Sequence, residues 1–408
     1  MCRSFLLSAW FLPNVSRLIR ARVAVCCSFF VQGLVFATWC TRIPDIKIRL
    51  GLDEAQLGTL LLALPVGQLL AMAPNGWLVE RLGSRRMLIF AGFSYSAILT
   101  ILGCVQSISG LAVGLFFAGV MANLSNTAAN TQGVILEGYY RRSIMALFHG
   151  MWSLAGLVAV VVGMILTHLG FSVLTHFIII GLGIWFLLTF SGGALYGIER
   201  RSLHNGTGKH VLFGSWKITS LLCWLGVASL GCMACEGTIY DWSGVYMRDV
   251  LGVSQAYQSL GYFGYLCAMV SMRFVADRLV NRYGVMRVLF GCGLCISGGL
   301  FLVVGLSWTS ELIARVGAVV GFAVVGCGTS AVVPVCCGLA GKDRHVAPSI
   351  AIAEVSTIGF FGFLAAPPLI GYIAHIFDLR VSFALMAMIG LLVLFAVLRL
   401  KRHFEFEK

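Results

Sequence analysis

The feature that most limits how this chain can fold is a series of long apolar segments. A helix needs roughly 20 apolar residues to cross the hydrocarbon core of a bilayer, which is about 30 Å thick. Because backbone groups in lipid must be hydrogen-bonded within their own segment, such stretches are expected to be helices. Twelve segments reach this length, near residues 22–41, 55–79, 86–106, 110–135, 144–166, 173–196, 218–240, 255–275, 285–306, 310–336, 348–374 and 380–399.

The composition indicates that lipid is the solvent for most of this chain. It is 59% hydrophobic and only 11% charged, with a mean hydropathy of +0.93, whereas a soluble domain is about a quarter charged. The net charge of +13 lies in short clusters between apolar segments rather than on one basic face. We therefore predict the bilayer as a partner and no nucleic acid. The 14 cysteines lack the spacing of metal ligands or of a disulfide framework, so no metal is expected.

The basic residues predict the orientation of the chain. If the N-terminus is cytoplasmic and the spans alternate, 23 of the 29 Lys and Arg residues fall on the cytoplasmic side. This bias is the usual one for membrane proteins. We predict a multi-pass protein of the bacterial cytoplasmic membrane with both termini in the cytoplasm. The six basic residues on the other side are Arg42, Lys47, Arg49, Arg248, Arg315 and Arg380.

An internal repeat divides the chain into two halves. A shift of 201 residues brings Arg81, Gly83, Arg86 and Leu88 onto Arg282, Gly284, Arg287 and Leu289. The same shift brings Leu50–Asp53 onto Leu251–Ser254. Six spans separate the copies, and six is an even number, so the halves have the same orientation in the membrane. We predict an all-α membrane protein with twelve transmembrane helices in two parallel six-helix halves, which is the arrangement of the major facilitator fold.

The repeat and the composition also predict the domain boundaries. They give an N-terminal extension at 1–20, a six-helix half at 21–196, a cytoplasmic linker at 197–217, a second half at 218–400 and a tail at 401–408. Within the repeat, Asp53 and Ser254 are the right residue types to cap the helices that follow them. Gly83 and Gly284 are expected in turns that require a positive φ.

The turn at Gly76–Arg86 resembles the signature of the major facilitator superfamily. That signature runs Gly, three residues, Asp, Arg or Lys, one residue, Gly, Arg, then Arg or Lys. Here Glu80 replaces the Asp and Ser84 replaces an Arg. Its charges can latch one cytoplasmic conformation or simply anchor the chain by the positive-inside rule. The predicted gate residues in the two copies are Gly76, Glu80, Arg81, Gly83, Arg85, Arg86, Asp277, Arg278 and Arg282.

Further segments resemble a bacterial subgroup of YbjJ-type transporters, which is more distantly similar to fucose permeases. The resemblance covers roughly residues 20–400. It implies the fold and solute transport rather than a particular substrate. In that subgroup an Asp is common where Asn126 stands, so this chain lacks that titratable group. The matching segments are Trp39–Lys47, Phe148–Leu154, Glu236–Gly237, Asp241–Ser243 and Pro367–Gly371.

Polar residues inside predicted spans are the candidates for binding and coupling. A charge at the centre of a bilayer costs at least about 2.5–3.5 kcal/mol on insertion scales, so it needs a reason. Glu236 in the seventh span is the leading candidate, because a carboxyl group in hydrocarbon favours its neutral form and can exchange a proton. The alternatives are a structural ion pair or a solvated helix end. Further candidates are Gln32, His149, Trp152, Asp241 and Glu354.

The fourth span carries a polar stripe. Asn123, Asn126 and Asn130 are spaced by three and four residues, so they share one helical face. We expect that face to line the solute path or to bond to neighbouring helices, and both interpretations stay open here. The expected partners are therefore an unidentified small solute and protons.

Other classes of function are less consistent with these residues. The chain has no Gly-x-x-x-x-Gly-Lys-Ser/Thr loop for a nucleotide, so an ion gradient or the solute's own gradient is expected to drive it. We expect a monomeric secondary transporter working by alternating access, without cofactor or catalytic residues, with its site between the halves. The alternatives are an exporter of amphipathic compounds and, from another class, a membrane enzyme or sensor.

Overall fold

The computed structural model of the chain describes residues 13–140, 144–196, 219–343 and 345–406, and its described part contains twelve helices long and apolar enough to span a membrane. The predicted all-α fold is confirmed. We number the helices α1–α12 by span, with α2 in two segments. Their bounds are Pro13–Leu50, Glu54–Leu61 with Ala63–Leu82, Ser84–Cys104, Ile108–Tyr140, Met145–His168, Val173–Ser191, Ser220–Val245, Leu260–Tyr283, Val285–Leu306, Glu311–Ala340, Pro348–Ile376 and Leu379–Phe406.

Two helices differ from the predicted spans. Helix α1 continues to Leu50 instead of ending near residue 41, because its last two turns are held by ion pairs described below. Helix α2 is interrupted at Leu62. Three residues later Pro65 has no backbone N–H to offer the carbonyl of Leu61, which explains the break. The predicted linker at 197–217 and the first twelve residues of the predicted extension lie outside the described residues.

The repeated turns adopt the same backbone in both copies. Gly83 and Gly284 have φ of 90° and 85°, and Gly51 and Gly252 have φ of 60° and 59°. Asp53 forms a capping box with Gln56, as its position predicts. The parallel expectation for Ser254 is wrong, because a short 3-10 turn follows it and its side chain makes no capping hydrogen bond.

The described residues form two compact units. The first comprises the described parts of Met1–Trp39 and Ala63–Gly206, and the second comprises Cys40–Leu62 with the described parts of Thr207–Lys408. Residues 40–62 therefore pack with helices from the second sequence half. In the first unit, the core includes Phe29 of α1, Leu88 of α3, Leu124 of α4 and Phe148 of α5.

The core of the second unit is aromatic near the end of α7. The ring of Tyr246 lies 4.5 Å from that of Phe383, and Phe322 packs against both rings. Trp242, one turn before Tyr246 at the end of α7, has no exposed surface.

Candidate functional site

Glu236 lies in the second unit among aromatic side chains of α7, α8 and α11. It is half-buried and accepts a hydrogen bond of 2.5 Å from the Tyr240 hydroxyl one turn along α7. The ring of Tyr240 makes edge contacts with Tyr262 and Tyr265, at 5.7 and 5.8 Å, and with Phe363 at 6.5 Å. The carboxylate thus lies beside rings instead of beside a basic partner on its own helix.

Tyr265 connects this cluster to α10 and to the middle of α8. Its hydroxyl lies 3.0 Å from the Thr329 hydroxyl. Arg273 lies eight residues after Tyr265, near the middle of the same helix. Arg273 is ten residues from the end of α8 at Tyr283, which is about 15 Å along the helix. We refer to Glu236, Tyr240, Tyr262, Tyr265 and Thr329 as the tyrosine cluster.

Two other predicted acidic residues of the second unit are buried. Asp241 is 8% exposed and Glu354 is 1% exposed. None of the ion pairs made by the described residues involves Asp241. The ion pairs near its end of α7 use Asp45 and Asp249 instead. Glu354 lies in the second turn of α11, near the helix start at Pro348, as its sequence position predicts.

The first unit places three predicted residues on α1 and α5. The Gln32 amide nitrogen donates to the Ser28 carbonyl within α1, at 3.3 Å, and the Gln32 side chain is buried. The exposed ring of His149 makes an edge contact with Phe29 at 5.1 Å. The ring of Trp152 stacks near Phe36 at 6.1 Å. These contacts join the faces of α1 and α5 along two turns.

The asparagine stripe of α4 divides into two parts. The Asn123 carbonyl oxygen accepts a 3.0 Å bond from Asn75 of α2, so this end joins two helices. The side-chain amide of Asn130 donates to the side-chain oxygen of Asn126 at 2.9 Å. The side chain of Asn126 is exposed. An exposed amide at the middle of a span is costly against lipid, so it is expected to face an aqueous path.

Gln132 has a structural role that its sequence position did not indicate. Its amide nitrogen donates to the Ser84 hydroxyl and to the Tyr196 carbonyl, each at 2.8 Å. Its carbonyl oxygen accepts from the Tyr196 N–H at 3.1 Å. One fully buried side chain therefore joins α3, α4 and the end of the α6 segment.

We expect Gln132→Leu to lower the free energy of unfolding by about 1–3 kcal/mol, because it leaves the Tyr196 N–H and the Ser84 hydroxyl without this partner. Thermal unfolding in detergent measures the loss. Thr131→Val is the matched control, since the hydroxyl of Thr131 bonds to the Thr127 carbonyl of its own helix. Equal melting temperatures for the two variants would contradict the structural role of Gln132.

The predicted gate residues lie at the turns after α2 and α8. The Arg81 guanidinium lies over the Trp77 ring at 5.0 Å, and that of Arg282 lies over Tyr283 at 5.3 Å. Arg85 donates to the Gly193 carbonyl at 3.3 Å. Gly76 lies in α2 and Gly83 precedes α3, while the remaining gate residues are exposed: Glu80, Arg86, Asp277 and Arg278. That these charges latch one cytoplasmic conformation, or that they only anchor the chain in the membrane, stays a prediction in both cases.

A buried ion network at the far end of α1 was not predicted from the sequence. Asp45 accepts bonds from Arg42 at 3.0 Å and from Arg248 at 2.9 Å. The amides of Gln255 and Gln258 donate to the same carboxylate at 2.8 and 3.2 Å. Arg42 is fully buried and Asp45 is 8% exposed. The Asp45 carboxylate thus pairs with two guanidinium groups, of which that of Arg42 is buried and that of Arg248 is partly exposed.

A second group of ion pairs continues this network towards the surface. Lys47 contacts Glu54 at 2.7 Å and Asp249 at 2.5 Å. Arg42, Lys47 and Arg248 were recognised in the sequence only as basic residues on the less basic side of the membrane. The sequence did contain a signal for these ion pairs, because each of the three basic residues has an acidic residue a few positions away along the chain. We refer to these eight side chains as the outer ion network: Arg42, Asp45, Lys47, Glu54, Arg248, Asp249, Gln255 and Gln258.

Comparison with known proteins identifies the family. Residues 24–350 match the Major Facilitator Superfamily. An uncharacterized MFS-type transporter of Yersinia pestis is 32% identical over 382 residues, covering 93% of this chain and 95% of that protein. Membrane protein MosC of Rhizobium meliloti is 28% identical over 381 residues, covering 93% of this chain and 90% of that protein.

Solved structures share the fold at low identity. A crystal structure of nucleoside transporter NupG matches with a TM-score of 0.73 and 13% identity, covering 93% of this chain and 98% of that one. The E. coli fucose:proton symporter FucP matches with a TM-score of 0.61 and 15% identity, covering 92% and 98%. The twelve spans, the repeated turns and these relatives agree that the chain is a membrane transporter, not an enzyme, and belongs to the Major Facilitator Superfamily.

Proposed function

We propose that this protein is a proton-coupled secondary transporter of a small polar solute, working by alternating access as a monomer. Its membrane is the bacterial cytoplasmic membrane, with both termini in the cytoplasm, as the bias of basic residues favours. The observation that carries the coupling is the position of Glu236, a half-buried carboxyl group of α7 bonded to a phenol. A charge held at this depth is costly unless it serves a function.

The partner of Glu236 suits a group that changes its protonation state. A phenolic hydroxyl can donate to a carboxylate, and it can equally accept from a protonated carboxyl group. The 2.5 Å contact with Tyr240 can therefore persist in both states. A basic partner would instead hold the carboxylate in its charged form. The fold also occurs in a fucose:proton symporter, which is consistent with this coupling.

The solute is proposed to be small and polar. Glu236 is the partly exposed member of the tyrosine cluster and its carboxyl group can bond to a polar solute, whereas the rings of Tyr240, Tyr262 and Tyr265 are buried beside it. Within the first unit, the exposed side-chain amide of Asn126 on α4 is a separate candidate for contact with a polar solute.

A transport assay tests the coupling. A thermal-shift screen of sugars, amino acids and nucleosides first identifies a ligand, because binding to the folded state raises the melting temperature. We expect proteoliposomes to accumulate that ligand when the outside is made acidic, and to lose the accumulation when a protonophore is added. Accumulation that is unchanged by both the gradient and the protonophore would refute proton coupling while leaving transport itself established.

A further inference from the structure

A cavity of about 300 Å³ lies within the second unit, and no residue of the tyrosine cluster lines it. Helices α8 and α9 form its walls and α10 forms its floor, through Cys327 and Ala331. Its volume is at the lower end of the range for small-molecule sites. Apart from a tyrosine and an arginine, the side chains that line it are small or apolar. We refer to this cavity as the α8–α9 groove.

The groove runs along the helices. On α8 it is lined by Met272, Ala276, Leu279 and Tyr283, whose spacing of three or four residues places them on one face. These residues span about 16 Å of helix. On α9 the lining begins at Arg287, in the first turn, and reaches Cys295 two turns further on. The groove is therefore elongated along the two helices, with its polar residues at one end.

Two positions that line the groove carry smaller residues than their counterparts in the first copy of the repeat. The shift of 201 residues, anchored by the positive φ of Gly83 and Gly284, places Ala276 opposite Asn75 and Gly291 opposite Phe90. In the first unit Asn75 reaches the Val120 carbonyl of α4 at 3.0 Å. In the second unit the corresponding positions carry a methyl group and a hydrogen atom. At these two positions the second copy thus has the smaller residue, although Met272 and Tyr283 are larger than their counterparts Ala71 and Leu82.

The polar end of the groove is basic. Arg287 lines it and is exposed, and exposed Arg278 and Arg282 lie on the last turns of α8. Asp277 is the one acidic side chain on those turns of α8, so the end keeps a net positive charge. This is also the side of the membrane on which most basic loops lie. Basic pockets between transmembrane helices on that side bind anionic lipid headgroups.

We propose that the α8–α9 groove binds an anionic phospholipid of the bilayer. One acyl chain lies along the apolar faces of α8 and α9, and the phosphate contacts the Arg287 guanidinium beside Tyr283. Burial of the chain supplies the apolar part of the affinity. The guanidinium supplies selectivity, because it forms charge-assisted hydrogen bonds to phosphate oxygens. A soluble anion would leave the apolar length of the groove unfilled, which is why the lipid is the favoured occupant.

Two glycines of α9 make a matched pair for the test. A Cβ atom at Gly291 or at Gly298 would meet no atom within 4 Å, so both positions accept a side chain. Gly291 lines the groove, whereas Gly298 lies two turns further along nearly the same face and does not. Gly291→Phe copies the first-half residue and fills the groove, and Gly298→Phe adds the same ring elsewhere. Arg287→Gln removes the headgroup contact without filling the groove.

The measurement is thermal unfolding of purified protein in detergent with added dioleoyl phosphatidylglycerol, dioleoyl phosphatidylcholine or inorganic phosphate. We expect phosphatidylglycerol to raise the melting temperature of wild type by roughly 2–4 °C more than phosphatidylcholine does. Gly291→Phe and Arg287→Gln should lose this difference, and Gly298→Phe should keep it. Native mass spectrometry should show the lipid retained by wild type and Gly298→Phe only.

Three results would overturn the proposal. Equal rises in the melting temperature of wild type with the two lipids would show that the site does not select an anionic headgroup. A full phosphatidylglycerol shift in Gly291→Phe would place the lipid outside the groove. A shift from inorganic phosphate as large as that from phosphatidylglycerol would assign the site to a soluble anion. If Gly291→Phe does not fold, Arg287→Gln decides between selective binding and its absence.

Discussion

Replacing Asp45 by alanine is expected to cause the largest loss of stability of any substitution at a single charged residue considered for this protein. Asp45 pairs with Arg42 and Arg248 and accepts two amide hydrogen bonds. Its removal leaves two guanidinium groups close together, and Arg42 is fully buried. Removing one partner of a buried ion pair lowers the free energy of unfolding by about 3–5 kcal/mol. We expect the melting temperature in detergent to fall accordingly, with less monodisperse protein recovered.

The matched control is an ion pair at the surface. Glu311 pairs with Arg315 at 2.9 Å, but the Glu311 side chain is 81% exposed. Glu311→Ala is expected to cost less than about 1 kcal/mol, because water and salt screen such a pair. Asp45→Asn should be intermediate, since an amide keeps the size of the side chain but not its charge. Equal melting temperatures for Asp45→Ala and Glu311→Ala would show that the outer ion network does not stabilise the fold.

Glu236→Gln is expected to cause a large fall in proton-driven accumulation of the solute. The amide keeps the volume and can still accept from the Tyr240 hydroxyl, so the fold should be retained. It cannot take up or release a proton in the transport cycle. We expect accumulation driven by a pH gradient to fall by roughly 10²-fold, the lower end of what a positioned proton-transfer group contributes in catalysis.

Several measurements separate this effect from a loss of folding or of binding. The thermal shift on ligand addition reports binding independently of coupling, and solute exchange without a gradient reports movement of the carrier. Glu311→Gln makes the same chemical change on an exposed side chain of α10 and should transport as wild type does. Accumulation by Glu236→Gln at the wild-type rate and with the wild-type pH dependence would exclude Glu236 as the coupling group.

The two-fold repeat shows how far sequence reasoning reaches. Gly83 and Gly284 take matching positive φ because the short turns between their helices require it, and this is a local property. Asp53 caps its helix for a similarly local reason. Ser254 occupies the equivalent position without capping, since the residues after it form a 3-10 turn that the repeat does not reveal. A local signal in one copy therefore predicts the structure of the other copy only where the residues that follow it form the same structure in both copies.

The polar residues of the spans show where such reasoning stops. Periodicity placed Asn123, Asn126 and Asn130 on one face. It did not show which of these side chains bonds to a neighbouring helix and which is exposed. The structure makes that distinction, because Asn75 of α2 reaches Asn123 while Asn126 stays exposed. Which face meets a neighbour depends on how each helix is rotated, and the apolar composition of the spans does not specify that rotation.

The sequence by itself determined the twelve spans, because the bilayer sets a minimum length for every helix that crosses it. It also determined that the two halves are parallel, because an even number of spans separates the two copies of the repeat. It also singled out Glu236 as a carboxyl group inside a span. The tertiary structure alone decided that Asp45 meets Arg248, 203 residues away, and that Tyr240 is the partner of Glu236. Ion pairs and hydrogen bonds act over a few ångströms, so they depend on packing between distant segments that no local pattern encodes.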